Sequence, residues 1–279
     1  MCRLYGLLAN EPTKVECTLV HAQNALLHQS RSDLRGHTHS DGWGIGCYAN
    51  SKPTCERRAT AAHEDLWFSA TAERTYSQAV VAHVRRATVG NPSLENSHPF
   101  VYGCWTFAHN GTLANFKLHE HQLAEEISSS LLGCRHGSTD SELIFLWLLS
   151  LFENEGISLR AANADASRSI EIVSSALSQL ESWSAEITSE KMNKLNFVLT
   201  NGEFLLATRW NHTLYYTERI GVHDCEICGI PHIQHARDHE YRACVVASEP
   251  ISDEPWKLVP NHSILLADSK VRPCIYPAD

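Results

Sequence analysis

The chain begins Met1-Cys2-Arg3-Leu4-Tyr5-Gly6. Removal of the initiator Met would leave Cys2 with a thiol and a free α-amine on one residue. A deprotonated thiol is a strong nucleophile, and an α-amine with a pKa near 7.7–8.0 is a base at neutral pH. Three other segments could serve such a nucleophile. In His109-Asn110-Gly111-Thr112-Leu113 the Asn110 amide and the Gly111 N–H can point the same way and form an oxyanion hole. The same dipeptide is also the commonest hairpin turn. In His83-Val84-Arg85-Arg86-Ala87-Thr88 an Arg at a strand end can clamp a carboxylate through two parallel hydrogen bonds, or simply lie on the surface. Asp140, at the start of a helix, can favour the helix dipole or accept a substrate ammonium.

A second group of reactive side chains lies late in the chain. Cys225-x2-Cys228 is followed by His232 and His235, close to zinc-ligand spacing. A structural zinc on Cys225, Cys228, His232 and His235 is one reading. The other is a polar loop, Val222–Glu240, that lies over the active site and shapes the leaving-group pocket.

The elements that must position these residues follow from pattern. Val80–Arg85 and Cys104–His109 are short, apolar and β-rich, and Gly42–Tyr48 is a glycine-loosened strand start. Thr139-Asp140-Ser141-Glu142 has the form of a capping box before Leu143, Ile144, Trp147, Leu148 and Leu151 at helical spacing. Ile170, Val173, Leu177, Leu180 and Trp183 predict a second helix. Strands return at 196–200, 204–209, 213–217, 243–248 and 263–267, with Asn201-Gly202 as a hairpin turn. Strands, then helices, then strands, without βα alternation, imply packed antiparallel sheets with helices outside.

Composition sets limits. With 279 residues, 43% hydrophobic and 20% charged, the chain can bury a full core. Its net charge of −9 offers no basic stripe, which argues against nucleic-acid and anionic-membrane partners. No apolar run is long enough to span a bilayer, and no secretory signal opens the chain. Ten cysteines spread over such a length read as reduced thiols in a cytoplasmic protein. No repeat or linker divides residues 2–279, so a single domain is expected.

In order along the chain come Cys2-Arg3-Leu4-x-Gly6, Asp41-Gly42-Trp43-Gly44, His83-x-Arg85-x-Ala87-Thr88, Asn96-Ser97-His98-Pro99, His109-Asn110-Gly111 and Ser138-Thr139-Asp140-Ser141-Glu142. Together, over about residues 2–142, they resemble the class II glutamine amidotransferases, which are N-terminal-nucleophile (Ntn) hydrolases. The resemblance implies an α+β fold, a four-layer αββα sandwich of two antiparallel sheets. It implies Cys2 as nucleophile with its α-amine as base, and Asn110 and Gly111 as oxyanion hole. Arg85 and Thr88 would hold the substrate α-carboxylate, and Asp140 its α-ammonium. It implies a hydrolase that cleaves a γ-glutamyl amide bond through a Cys2 thioester and requires no cofactor for that step. Residues 143–279 lack the synthase domains of the larger members. The segment Ala247-Ser248-Glu249-Pro250 resembles the small stand-alone branch, which includes γ-glutamyl amide hydrolases of ergothioneine biosynthesis and glutathione breakdown. Two alternatives use the same scaffold: a glutaminase subunit that delivers ammonia to a separate synthase, and a non-catalytic, zinc-organised Ntn-fold protein. A homo-oligomer and a synthase partner are both compatible with the sequence.

Overall fold

The computed structural model describes residues 2–185, 191–233 and 240–278. In chain order the strands are β1 (Arg3–Lys14), β2 (Trp43–Ala49), β3 (Lys52–Arg58), β4 (Tyr76–Val84), β5 (Phe100–Tyr102), β6 (Trp105–Thr112), β7 (Lys194–Thr200), β8 (Leu205–Arg209), β9 (Tyr215–Ile220), β10 (Arg242–Ala247), β11 (Lys257–Leu258), β12 (Ser263–Ala267) and β13 (Cys274–Pro277). The α-helices are α1 (Leu26–Arg31), α2 (Leu66–Arg74), α3 (Phe116–Glu125), α4 (Ser129–Leu132), α5 (Asp140–Asn154) and α6 (Ala166–Ala185).

The strands form two sheets, ordered β11-β9-β10-β1-β4-β2-β3 and β13-β12-β8-β7-β6-β5. Every strand pairing is antiparallel. Side chains of a strand alternate between faces, and here both faces are covered. In β4, Val80, Ala82 and Val84 pack with Phe68 and Ala72 of α2, whereas Ala79 and Val81 join Val198, Leu205 and Val246 between the sheets. On the far side of the second sheet, Phe107, Phe197 and Leu199 meet Phe145, Leu149 and Val173 of α5 and α6. Phe107 stacks on Phe145 with centroids 5.3 Å apart. Truncating either ring to Ala would cost about 3–5 kcal/mol. The layers are therefore helix, sheet, sheet, helix, as the sequence pattern and the family resemblance imply.

The helix that carries Asp140 forms as its sequence requires. Thr139 is the N-cap, and its hydroxyl accepts from the Glu142 N–H at 3.2 Å. Glu142 does not return the bond to Thr139. Its carboxylate instead accepts from the His136 and Gly137 N–H groups at 2.9 and 2.6 Å and orders the approach to the helix. The capping box is thus half formed. Asn201-Gly202 does turn the chain, with Gly202 at φ +91° and Asn201 Oδ1 accepting from the Glu203 and Phe204 N–H groups. The strand expected at 213–217 starts two residues later. The Thr213 N–H donates to His212 Nδ1 at 2.7 Å and its carbonyl accepts from the Asn196 amide at 3.1 Å, so neither backbone group of Thr213 is free for the ladder.

Candidate active site

Cys2 directly precedes β1, a central strand of its sheet, and is 8% exposed. The ladder between β1 and β4 ends at Arg3↔Val84, which sets Cys2 beside Arg85 and Arg86. The Arg86 N–H donates to Cys2 Sγ at 3.4 Å, and the thiol donates to the Arg86 carbonyl at the same distance. Burial pushes the Cys2 thiol above its ordinary pKa, against the Arg86 N–H bond and the charges of Arg85 and Arg3, which favour the thiolate. In this arrangement the thiol is protonated at neutral pH, and a base has to take its proton.

Arg3 fixes the backbone of Cys2. It is 2% exposed, and a buried guanidinium is tolerated only when paired. It donates to the Cys2 carbonyl at 2.9 Å and makes ion pairs with Asp33 at 2.5 Å and Glu249 at 2.7 Å. Asp33 also takes the His39 ring N–H at 3.1 Å and the backbone N–H groups of Arg35 and His37. Burial raises the Asp33 carboxyl pKa, but the His37 N–H and the Arg3 charge outweigh it and hold the group well below the carboxylate range. His39 is lowered as well, and in a base that favours the uncharged form. Burial first, then the Arg3 charge, lower it to about 4, so it is neutral. No spacing rule links residue 3 to residues 33 and 249, and only an Arg next to Cys2 hints at this cluster in the sequence.

Asn110 and Gly111 lie inside β6, paired with Asn196 and Leu195 of β7, not in a hairpin turn. The side chain of Asn110 crosses between the sheets and donates to Ser248 Oγ at 2.9 Å. That hydroxyl in turn accepts from the Leu4 N–H at 3.0 Å, two residues from the nucleophile. Gly111 is a glycine for a different reason from turn geometry. A Cβ there would stand 1.7 Å from the Lys194 carbonyl oxygen and 2.5 Å from His109 Nε2.

Arg85 is 2% exposed. Three of its five N–H donors go to the carbonyls of Val89, Gly90 and Asn91 at 2.8–3.1 Å, which shapes the loop after β4. It is no surface Arg. Burial lowers its pKa, and the charges of Cys2, Asp41 and Asp140 act in the opposite direction. Those carboxylates act through space, and among the described residues none makes an ion pair with Arg85. Thr88 is exposed beyond it and shares a hydrogen bond with Thr112 at 2.9 Å.

Asp140 is 2% exposed. Its carboxylate accepts from the Leu113 N–H at 2.8 Å and the Ser141 N–H at 2.9 Å, and so ties the start of α5 to the end of β6. His109 braces this junction, with Nε2 on the Lys194 carbonyl at 3.0 Å and Nδ1 on Ser141 Oγ at 2.9 Å. The other two motifs pack on one another. Gly42 has φ +141° and Gly44 faces the His98 carbonyl, where a Cβ would approach to 2.2 Å. The Asp41 carboxylate takes the Ala87 N–H at 2.7 Å, which joins that segment to the Arg85 loop.

The late cysteines are elsewhere. Cys225, Cys228 and His232 gather with Cys17, a residue not foreseen as their partner, and His235 lies outside the described residues. The described part of the loop that bears them does not lie over Cys2. It leads into β10, which pairs Ala243 with Ala9 and Ala247 with Tyr5. The Lys14 N–H bonds the His232 carbonyl at 2.8 Å. The described residues of the loop thus sit at the far end of β1 from Cys2, and they do not line a pocket at that thiol.

Residues 1–274 match the family model of the class II glutamine amidotransferases, and the chain belongs to this family. It is 28% identical to the protein named probable glutamine amidotransferase DUG3 of Saccharomyces cerevisiae, over 95% of this chain and 81% of that one. It is 26% identical to the γ-glutamyl-hercynylcysteine sulfoxide hydrolase of Mycobacterium tuberculosis, over 97% of this chain and 94% of that one. The fold is similar to that of a glutamine aminotransferase class-II domain protein from Silicibacter pomeroyi, with TM-score 0.66, 20% identity and full coverage of both chains. It is also similar to the glutamine phosphoribosylpyrophosphate amidotransferase of B. subtilis, with TM-score 0.63 and 16% identity, over all of this chain and 49% of that one.

Proposed function

We infer that this protein is an N-terminal-cysteine hydrolase that cleaves a γ-glutamyl amide bond and releases glutamate. The observation that carries the reading is what meets around Cys2. From one side comes a buried cation, Arg85, to which no carboxylate among the described residues is paired. From the other sheet comes an amide donor, Asn110. A γ-glutamyl group has a carboxylate and an ammonium at one end and an acyl carbon at the other. Arg85 and Thr88 would take the carboxylate, and Asp140 the ammonium. The thiol proton of Cys2 passes to its own α-amine, free once Met1 is removed. The thiolate attacks the γ-carbonyl carbon, and the oxyanion falls to Asn110 and the Gly111 N–H. The C–N bond breaks as the leaving amine takes the proton. Water then attacks the γ-glutamyl thioester, the C–S bond breaks, and glutamate departs with the thiol restored.

The M. tuberculosis relative, named as a hydrolase of a γ-glutamyl conjugate and alike over nearly its whole length, supports hydrolysis over ammonia delivery. We take residues 2–279 as one such domain, acting on a small molecule in the cytoplasm without a catalytic cofactor. The test is a panel of γ-glutamyl amides, glutamine included, assayed for glutamate release by protein whose intact mass begins at Cys2. Turnover of conjugates above glutamine is expected. Preference for glutamine with a co-purifying synthase would favour the glutaminase subunit, and no release from any member would sink both.

A further inference from the structure

β1 has a cysteine just beyond each end, Cys2 before it and Cys17 after it. Cys17 is buried in the turn that follows the strand. Its thiol, those of Cys225 and Cys228, and a ring nitrogen of His232 all lie within 4.8 Å of one another. Cys228 Sγ and His232 Nε2 are 3.5 Å apart. A tetrahedral zinc with Zn–S near 2.3 Å and Zn–N near 2.0–2.1 Å needs ligand–ligand edges of roughly 3.5–3.8 Å, so the four atoms need only small shifts to enclose the ion.

The local backbone is built to present the thiols. In Cys225-Glu226-Ile227-Cys228-Gly229 the Gly229 N–H returns to the Cys225 carbonyl at 2.7 Å, and Cys225 N–H bonds the Ile230 carbonyl at 3.1 Å. Gly229 takes φ +72°, which suits a residue without Cβ. The Ile227 N–H donates to Cys225 Sγ at 3.4 Å, a bond that strengthens when the sulfur is a thiolate. His232 is fixed from a separate side, by the Lys14 N–H on its carbonyl and the bridge Thr13↔Ile233. Three independent pieces of chain converge: the turn after β1, the Cys-x2-Cys turn, and the segment pinned to the end of β1.

We propose that Cys17, Cys225, Cys228 and His232 bind one structural zinc ion. Three thiolates and an imidazole are soft to borderline donors that suit zinc, and four protein ligands close the coordination sphere, as in structural rather than catalytic sites. The ion staples the connection between β9 and β10 to the sheet. That connection carries little regular structure of its own among its described residues, and a long loop of this kind needs an anchor. The site stands at the opposite end of β1 from the nucleophile, up to roughly 35 Å away for a twelve-residue strand, so the metal serves the fold and not the chemistry.

Metal analysis of the full chain, purified under reducing conditions, should find about one zinc per chain, and cobalt in its place should give thiolate charge-transfer and tetrahedral absorption bands. Cys17→Ser and Cys228→Ser should each lower the zinc content to less than about a tenth of an ion per chain, while His235→Ala keeps it. Chelation should lower Tm by several degrees and leave kcat/KM at moderate temperature unchanged. A metal-free wild type that also fails to bind added zinc or cobalt overturns the site. So does a Cys225–Cys228 disulfide in the reduced preparation. Retention of full zinc and the same cobalt spectrum in Cys17→Ser would remove Cys17 from it. Zinc content, the cobalt spectrum and Tm do not depend on activity, so they stand apart from the fate of the hydrolase reading.

Discussion

The two ends of β1 are built by opposite means. At the Cys17 end, two of the four ligands come from a single five-residue turn, and the cluster is half exposed. At the Cys2 end, the contributors come from four different parts of the chain. Arg85 follows β4, Asn110 is in β6, Asp140 starts α5, and Ser248 and Glu249 follow β10. All are buried. A metal draws its ligands together as it binds, so a turn at the surface can hold half a site. A reaction that must place an acyl carbon, a carboxylate and an ammonium at once needs positions set beforehand by packed sheets.

The contrast is tested most severely by Cys2→Ala. Hydrolysis should fall by at least about a thousandfold, with Tm nearly unchanged because a single buried sulfur is lost. A drop of only a few-fold would move the nucleophile elsewhere. Cys104 is closed within the helix-side core, and Cys225 lies at the other end of β1.

Next comes Asp33→Asn, which leaves the buried Arg3 short of one counter-charge. A loss of stability of about 3–5 kcal/mol is expected in denaturant unfolding, the range for breaking a buried pair. Cys17→Ser should cost less in the metal-free protein. An Asp33→Asn variant as stable as wild type would mean that Glu249 alone suffices and that the Cys2 end is less tightly set than it looks.

Arg85→Lys and Asp140→Asn keep approximate size and alter the charge contacts. Each should lower kcat/KM by about tenfold to a hundredfold, since hydrogen bonds to charged groups are worth about 1.5–3 kcal/mol. Substrates acetylated on the α-amine or esterified on the α-carboxylate should be poor for wild type. Equal turnover of blocked and free substrates would replace the γ-glutamyl reading with a general acylase.

The smallest expected effect is on pH. His39 and His212 are lowered by burial to about 4, and burial also lowers His83, His98 and His109. Unfolded, each would titrate near 6.5. The unfolded chain therefore binds more protons between about pH 6.5 and 4, and stability falls as pH drops through that window. Calorimetry of the metal-free protein, in which no zinc ligand exchanges protons for an ion, should give a Tm that is steady above about pH 6.5 and then declines. A Tm unchanged down to pH 4.5 would mean that these rings are charged in the fold.

Much of this was legible in the sequence because the chemistry is concentrated in strand ends and one helix start. The spacing of Leu143, Ile144 and Trp147 gives α5, and the β-rich runs at 80–85 and 104–109 give β4 and β6. What the sequence hid were long-range pairings. Arg3 finds Asp33 and Glu249, Asn110 finds Ser248, and Cys17 finds Cys225 and Cys228, each across a fold that no local period encodes. The Asn110-Gly111 pair also carried a misleading local signal. The dipeptide that elsewhere turns a hairpin is here drawn straight, because the Lys194 carbonyl closes on Gly111 in the neighbouring strand.

That straightness bears on which sequence changes the site can survive. Along β6, Ala108 and Asn110 look toward the other sheet, while Phe107 and His109 look toward the helices. One strand reaches Ser248, beside the start of β1, with one face and braces Asp140 with the other. Core substitutions such as Phe107→Leu leave this parity alone. Insertion or deletion of a single residue between Phe107 and Gly111 reverses it, because a slip of one position exchanges the two faces of a strand. The amide of Asn110 would then turn into the helical layer and the imidazole of His109 toward the thiol. Length variation should therefore be tolerated in the connections around this strand, and forbidden within its five central residues.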